Sequence, residues 1–245
     1  MTISVLVNGA LGKMGQACIA AVKADSELTL VGQTDREDDL GKAIRDTKAQ
    51  IVIDFTHPTT RMANVKAIVE NGANAVVGTT GFTDANLAEI DALSKKLGRG
   101  VLIAPNFGIG AVLMMQFAAQ AAKYMPHVEI IEYHHDQKAD APSGTAIKTA
   151  QLINEAVGAT QPPKMESEEM LGGSSQGVKV GNIRIHAVRL PGFVASQEVI
   201  LGGQGQRLLL RHETINRESF MPGVVLGCKR MLDKKGLIYG LEKLL

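Results

Sequence analysis

Short runs of β-branched and aliphatic residues alternate with helical periodicity over the first hundred positions of the chain. Ile3 to Asn8, Leu28 to Thr34, Ile51 to Phe55, Ala75 to Gly78 and Val101 to Ala104 read as strands bounded by Gly, Pro or charged turns. Between them the spacing predicts helices over Gln16 to Ala24, near Thr59 to Glu70 and near Asp84 to Leu97. Strand and helix in strict alternation imply a parallel sheet with helices on both faces. In such sheets ligands bind beyond the carboxyl ends of the strands.

The rhythm changes near residue 106. A helix over Ile109 to Tyr124 leads to a strand-like stretch, Val128 to Tyr133. A second helix follows, opening at Pro142-Ser143-Gly144-Thr145 and running through Ile153. A polar Gly/Ser/Glu-rich loop from about Gly158 to Gly181 reads as a connection. Beyond it, Ile183 to Leu190, Val194 to Leu201 and Arg207 to His212 arrive as consecutive strands. An α+β domain with an open mixed or antiparallel sheet follows from that order, and the sheet needs its exposed face covered; self-association is one solution. A last helix over Arg217 to Leu232 returns to the first domain. The expected division is 1–105 for dinucleotide binding, 106–216 for substrate binding and oligomerisation, and 217–245 for the return. No internal repeat is present.

Composition narrows the function classes. The chain has 245 residues, long enough for a large core in one or two domains. Lys and Arg number 26 against 25 Asp and Glu, and aromatic residues are 4% of the chain, so nothing supports a nucleic-acid interface. No membrane-length apolar run or leader pattern is seen, and Cys18 and Cys228 lack metal spacing. They read as buried thiols of a reduced, cytoplasmic protein.

Two segments carry chemistry. At the amino terminus the strand Ile3 to Asn8 runs into Gly9-Ala10-Leu11-Gly12-Lys13-Met14-Gly15 and a helix, the context of a dinucleotide pyrophosphate site in a Rossmann-like fold, although the glycine spacing departs from G-x-G-x-x-G. Asp35 and Arg36 follow the second strand, an acid for a ribose diol and an arginine for a 2′-phosphate. With Lys13 they predict use of NADH and NADPH alike. The competing reading of Asp35 to Asp39 is a solvated charged turn. Asp54 to Pro58, Gly78 to Phe82 and Ala104 to Phe107, at the carboxyl ends of later strands, extend the cofactor site; His57 fits a loop role as well as a ligand contact.

The second segment is Glu132-Tyr-His-His-Asp-Gln-Lys-Ala-Asp-Ala-Pro-Ser-Gly-Thr-Ala146. Strand alternation sends His134 and His135 in roughly opposite directions, one toward a reacting atom and the other toward a substrate edge. Imidazole titrates near neutrality and suits proton delivery. Lys138 adds positive charge, and the helix start at Ser143-Gly144-Thr145 offers unpaired N–H groups and a close backbone approach for a carboxylate. Together they fit a small dianionic substrate that is held and protonated. The competing reading makes the histidines ordinary strand-end residues and Ser143 a helix cap.

These motifs, with Val77-Gly-Thr-Thr-Gly-Phe82, Ala104-Pro-Asn-Phe107, Arg189-Leu-Pro-Gly and Arg217-Glu-Ser-Phe, resemble the bacterial dihydrodipicolinate reductase (4-hydroxy-tetrahydrodipicolinate reductase) family nearly end to end. The resemblance implies a cytoplasmic homotetramer of the diaminopimelate route to lysine, reducing a small dicarboxylate with a nicotinamide cofactor and no metal. It assigns catalysis to His134 and Lys138, and substrate contacts to His135, Gly144 and Thr145 with Ser143 adjoining. Cofactor contacts fall on Gly9, Ala10, Leu11, Gly12, Lys13, Met14, Asp35, Arg36, Gly78, Thr79, Thr80, Ala104, Pro105, Asn106 and Phe107. Some members carry a histidine near Ser196-Gln197, so its role has no counterpart here, and the stretch between Arg36 and Ile51 is short. Two other readings stand beside this one. A dehydrogenase of similar architecture would act on another small acid, and a non-catalytic nucleotide sensor would bind cofactor without turnover.

Overall fold

The computed structural model describes residues 2–158, 170 and 175–245. Their strands and helices follow in chain order as β1 (Ile3–Asn8), α1 (Lys13–Ala24), β2 (Leu28–Thr34), α2 (Leu40–Thr47), β3 (Ile51–Asp54), α3 (Arg61–Glu70), β4 (Asn74–Val77), α4 (Asp84–Leu97) and β5 (Gly100–Ile103). Next come α5 (Ile109–Ala122), β6 (His127–His134), α6 (Gly144–Val157), β7 (Val178–Val180), β8 (Ile183–Arg189), β9 (Ala195–Gly203) and β10 (Gln206–Thr214), then α7 (Met221–Met231) and β11 (Gly236–Tyr239). They form two compact units: the chain up to Ile109 together with Arg217–Leu245, and Gly110–Asn216.

The first unit holds a six-stranded sheet in the order β11-β5-β4-β3-β1-β2, parallel throughout. Its central strands are buried on both faces, which their unbroken aliphatic runs require. Strand alternation sends Leu6, Val52, Ala75, Val77, Val101 and Ile103 into one cluster with Ile44, Ile68 and Ile90 of α2, α3 and α4. The opposite set, including Val5, Ile53, Val76 and Leu102, is equally buried on the side of α1 and α7. Cys18 of α1 and Cys228 of α7 are free and buried there, and burial pushes the Cys18 thiol up to about 12.

In the second unit the five-stranded sheet runs β10-β9-β6-β8-β7 and is mixed: β6 and β8 are parallel, the other pairs antiparallel. Val128, Ile130, Ile185, Val199 and Leu201 point to one face and pack with Met114 and Ala118 of α5 and Ala150 and Ile153 of α6. The doubly wound sheet and the open mixed sheet are therefore both present.

Several elements depart from the sequence expectation. The helix expected from Gln16 starts at Lys13, because Gly12 ends the turn and already serves as N-cap. α2 falls in the short stretch after Arg36, capped by Asp39, whose side chain accepts from the Lys42 amide. The terminal helix is shorter than expected, a 3-10 turn over Arg217–Phe220 followed by α7, and β11 adds a sixth strand beyond it. Most of the polar loop at 158–181 lies outside the described residues; its described end includes β7.

Candidate active site

In the first unit the predicted cofactor residues gather at the carboxyl ends of the parallel strands. Gly9 leaves β1 with φ 83°, and its amide and that of Ala10 donate to the Thr34 carbonyl at 2.9 and 3.0 Å. A Cβ at Gly9 would lie 2.4 Å from the Phe55 carbonyl oxygen, and one at Gly15 only 2.0 Å from the Gly9 carbonyl oxygen. The turn is therefore pressed between β3 and α1 with no room for a side chain at Gly9 or Gly15. α1 opens at Gly12 without a side-chain cap, so its first amides face outward as donors for an anion. The Asp35 carboxylate accepts from the Leu11 amide at 2.9 Å and from the Arg36 amide at 2.9 Å. Those amides hold it below the usual carboxylate range, so it stays ionised at the end of β2. The turn, the uncapped helix and this carboxylate fit the phosphates and a ribose of a dinucleotide.

A buried polar row supports that rim. Thr34 donates to Asn8 Oδ1 at 2.9 Å, and Asn8 Nδ2 donates to Asp54 Oδ2 at 3.0 Å. Asp54 Oδ1 also accepts from the Thr56 amide at 3.2 Å, the Thr56 hydroxyl at 2.8 Å and the Thr79 hydroxyl at 3.0 Å. Strand register places Thr34, Asn8, Asp54 and Val77 side by side across β2, β1, β3 and β4, so the Asp54 carboxylate joins the end of β1 to the loops after β3 and β4 and reaches β2 through Asn8. Thr79 thus spends its hydroxyl inside, and Phe107 is buried, packed against Phe55 at 5.6 Å. Among the other predicted cofactor residues, Leu11, Gly12, Lys13, Arg36, Thr80 and Pro105 are exposed, Met14, Gly78 and Asn106 half-buried, and Ala10 and Ala104 buried. His57 is a loop residue whose Nδ1 meets Thr59 at 3.0 Å.

The second unit builds its site from the row Val128, Ile130, Glu132, His134 on the helix-covered face of β6. Glu132 is fully buried. Its Oε1 accepts from Arg189 Nη2 at 2.9 Å and the Ser143 amide at 3.1 Å, and its Oε2 from Arg189 Nη1 at 2.9 Å and from His134 Nδ1. Burial pushes this carboxyl up, but the hydrogen bonds from His134, Arg189 and Ser143 outweigh it and hold the group below its ordinary range. An ionised carboxylate only accepts, so Nδ1 of His134 carries the proton and Nε2 is left without a partner among the described residues.

His135 stands exposed past the strand end. Lys138 pairs with Asp140 at 2.7 and 2.9 Å, and the Asp140 backbone carbonyl accepts from Arg189 Nη2 at 2.6 Å. The Ser143 hydroxyl accepts from the Ala146 amide at 3.2 Å, which commits it to capping α6. A Cβ at Gly144 would meet nothing within 4 Å, so the first turn of α6 is open to an incoming carboxylate. Behind it, Gln197 Nε2 donates to Thr149 at 2.8 Å, and the Thr149 hydroxyl donates to the Thr145 carbonyl at 2.8 Å.

Sequence reasoning had placed His134, His135, Lys138, Gly144 and Thr145 on one segment, and the fold keeps them there. It passed over Glu132 and Arg189 as site residues and had no account of the Asn8–Asp54 pair or Gln197. A glutamate two positions before His134, on an otherwise aliphatic strand face, is the signal that marks Glu132.

Residues 3–107 match the family model described as "Dihydrodipicolinate reductase, N-terminus", and residues 110–245 the one described as "Dihydrodipicolinate reductase, C-terminus". The chain is 50% identical to the 4-hydroxy-tetrahydrodipicolinate reductase of Nocardia farcinica, over all of this chain and 99% of that one. It is 49% identical to that of Streptococcus gordonii over the whole of both chains. The solved structure of dipicolinate-bound dihydrodipicolinate reductase from Paenisporosarcina sp. TG-14 superposes with a TM-score of 0.90 at 39% identity, covering 100% of both chains.

Asp54→Ala is expected to destabilise the first unit by roughly 2–4 kcal/mol, since Asn8, Thr56 and Thr79 lose a shared buried acceptor. Urea denaturation followed by circular dichroism measures this, and an unchanged midpoint would show that the polar row does not support the rim.

Proposed function

The chain belongs to the dihydrodipicolinate reductase family of lysine-biosynthetic oxidoreductases, and on that premise we propose that it reduces 4-hydroxy-tetrahydrodipicolinate or its dehydrated form with NADH or NADPH, His134 supplying the proton. The observation that carries the reading is the Glu132–His134 pair, which leaves Nε2, without a partner among the described residues, on the same strand-to-helix segment as Lys138 and the open start of α6.

A bound nicotinamide would supply a hydride to a carbon conjugated with the ring imine of the substrate. Gly9 to Met14 would hold the pyrophosphate at the uncapped start of α1, with Asp35 on a ribose diol. Gly78 to Thr80 and Ala104 to Phe107 would line the approach to the ring. Arg36 and Lys13, both exposed, offer charge to a 2′-phosphate, while Asp35 serves the unphosphorylated sugar, which is the basis for dual cofactor use. His134, protonated on both nitrogens, gives the Nε2 proton to the enamine carbon left by reduction and keeps its Nδ1 proton, hydrogen-bonded to Glu132. Lys138 turns from Asp140 toward one substrate carboxylate, and the amides at Gly144 and Thr145 take the other. His135 contacts the substrate edge, and Ser143 acts by shaping the helix start. The Paenisporosarcina relative was solved with dipicolinate, a planar dicarboxylate, which accords with two such anion-holding groups.

The same reading makes the protein a cytoplasmic homotetramer. Two free buried thiols accord with a reducing compartment. Leu209 of β10, on the face opposite Leu210, is 50% exposed and offers an apolar contact for a second copy. Sedimentation at micromolar protein is expected to give a tetramer, and a monomer alone would contradict this.

The reaction is tested by following oxidation of NADH and of NADPH with the substrate generated in place by its synthase. Wild type is expected to turn over with both, and His134→Gln to lose roughly 100- to 1,000-fold in kcat with cofactor binding retained. No turnover with either cofactor would overturn the reading; a hundredfold preference for one would overturn dual use.

A further inference from the structure

We propose that Glu132 is a positioning residue for proton delivery: with Arg189 it forms a buried ion pair that keeps the proton on Nδ1 of His134, aims Nε2 outward and ties the Lys138 loop to the start of α6. The inference rests on the proposed role of His134.

The geometry separates this role from simple packing. A carboxylate on the aliphatic face of a strand is costly unless its oxygens are fully paired, and leucine would fill the same position at no such cost. Glu132 is fully buried, and both oxygens are engaged by three partners from different elements: Arg189 of β8, the Ser143 amide ahead of α6, and His134 two residues on. Arg189 faces it in a bidentate arrangement, and its two Nη groups also hold the carbonyls of Val188 at 2.8 Å and Asp140 at 2.6 Å. The last contact lies in the loop that carries Lys138. The Leu190 amide closes the same corner by donating to the His134 carbonyl at 3.0 Å. One carboxylate therefore fixes an imidazole, a loop and a helix start together.

The chemistry follows from the acceptor-only character of the carboxylate. A protonated His134 has N–H on both nitrogens. When Nε2 gives its proton away, the ring must remain stable as the Nδ1–H tautomer, and Glu132 provides the acceptor for that proton before and after transfer. Glutamine at this position would keep the shape but could turn its NH2 group toward Nδ1. The ring would then hold its proton on Nε2 as a neutral imidazole, a far weaker acid. The charged groups facing the pair are Arg189 from β8 and Lys138 and Asp140 from the loop, the last two paired with each other. β9 presents Ala195 and Gln197 opposite His134 and Glu132, and neither titrates.

The test compares Glu132→Gln and Glu132→Asp with wild type whose turnover has first been shown, so that failure of the reaction assignment is seen separately. Folding is read by circular dichroism and cofactor binding by NADH fluorescence. Glu132→Gln is expected to bind NADH normally, to lose roughly 100-fold or more in kcat with a smaller change in KM, and to move the basic limb of its pH–rate profile to lower pH. Glu132→Asp, which keeps the charge, is expected to recover part of kcat and to return that limb toward wild type. A folded Glu132→Gln variant within threefold of wild type, or one slowed at every pH with its limb unmoved, would overturn the proposal. If the glutamine variant does not fold, Glu132→Asp decides alone: reduced kcat with the wild-type limb supports positioning, and unchanged kcat overturns it.

Discussion

A single carboxylate, that of Glu132, organises the second unit's site, and its burial is the constraint the rest obeys. Several kcal/mol oppose taking a carboxylate out of water, and only a partner of opposite charge with well-formed hydrogen bonds offsets that cost. Arg189 supplies the charge and two of the bonds, at 2.9 Å each. Once that pair exists, His134 has one orientation that satisfies Nδ1, the Asp140 carbonyl has a donor, and the segment before α6 is held by the Ser143 amide. The contacts that make burial tolerable also leave the other imidazole nitrogen without a partner among the described residues.

The first unit repeats the principle with a row of polar side chains around the Asp54 carboxylate. Thr34, Asn8, Asp54 and Thr79 run across the carboxyl ends of adjacent parallel strands, where peptide groups leave the sheet and need partners. The glycine turn beside them can be tight because Gly9 and Gly15 carry no Cβ. In both units the polar groups nearest the proposed chemistry are braced by buried neighbours from other strands, as a site that must hold small ligands in fixed geometry requires.

Much of this was legible in the chain. Long aliphatic runs separated by helical spacing imply a parallel sheet whether or not the exact ends are known, and Gly9 and Gly15 stand where an added Cβ would strike a backbone carbonyl. The residues His134 through Thr145 suggested their proposed chemistry by type and spacing. What escaped was fixed by distance along the chain. Glu132 meets Arg189 across 57 positions, a pairing that only the β6–β8 register creates. α2 has few apolar anchors among its charges, and β11 is four residues long and defined by its neighbour β5. Thr79 and Phe107 fit the cofactor motif by position, yet tertiary packing turns their side chains inward.

The most direct test of the account is the protonation state of His134 in the resting enzyme. Long-range proton–nitrogen correlation spectra of histidine-labelled protein, with the His134 signals identified by their loss in His134→Gln, report which ring nitrogen carries hydrogen in the neutral form. A proton on Nδ1 and a bare Nε2 is the result that a buried, ionised Glu132 predicts. A neutral ring protonated on Nε2 with a bare Nδ1 would contradict it.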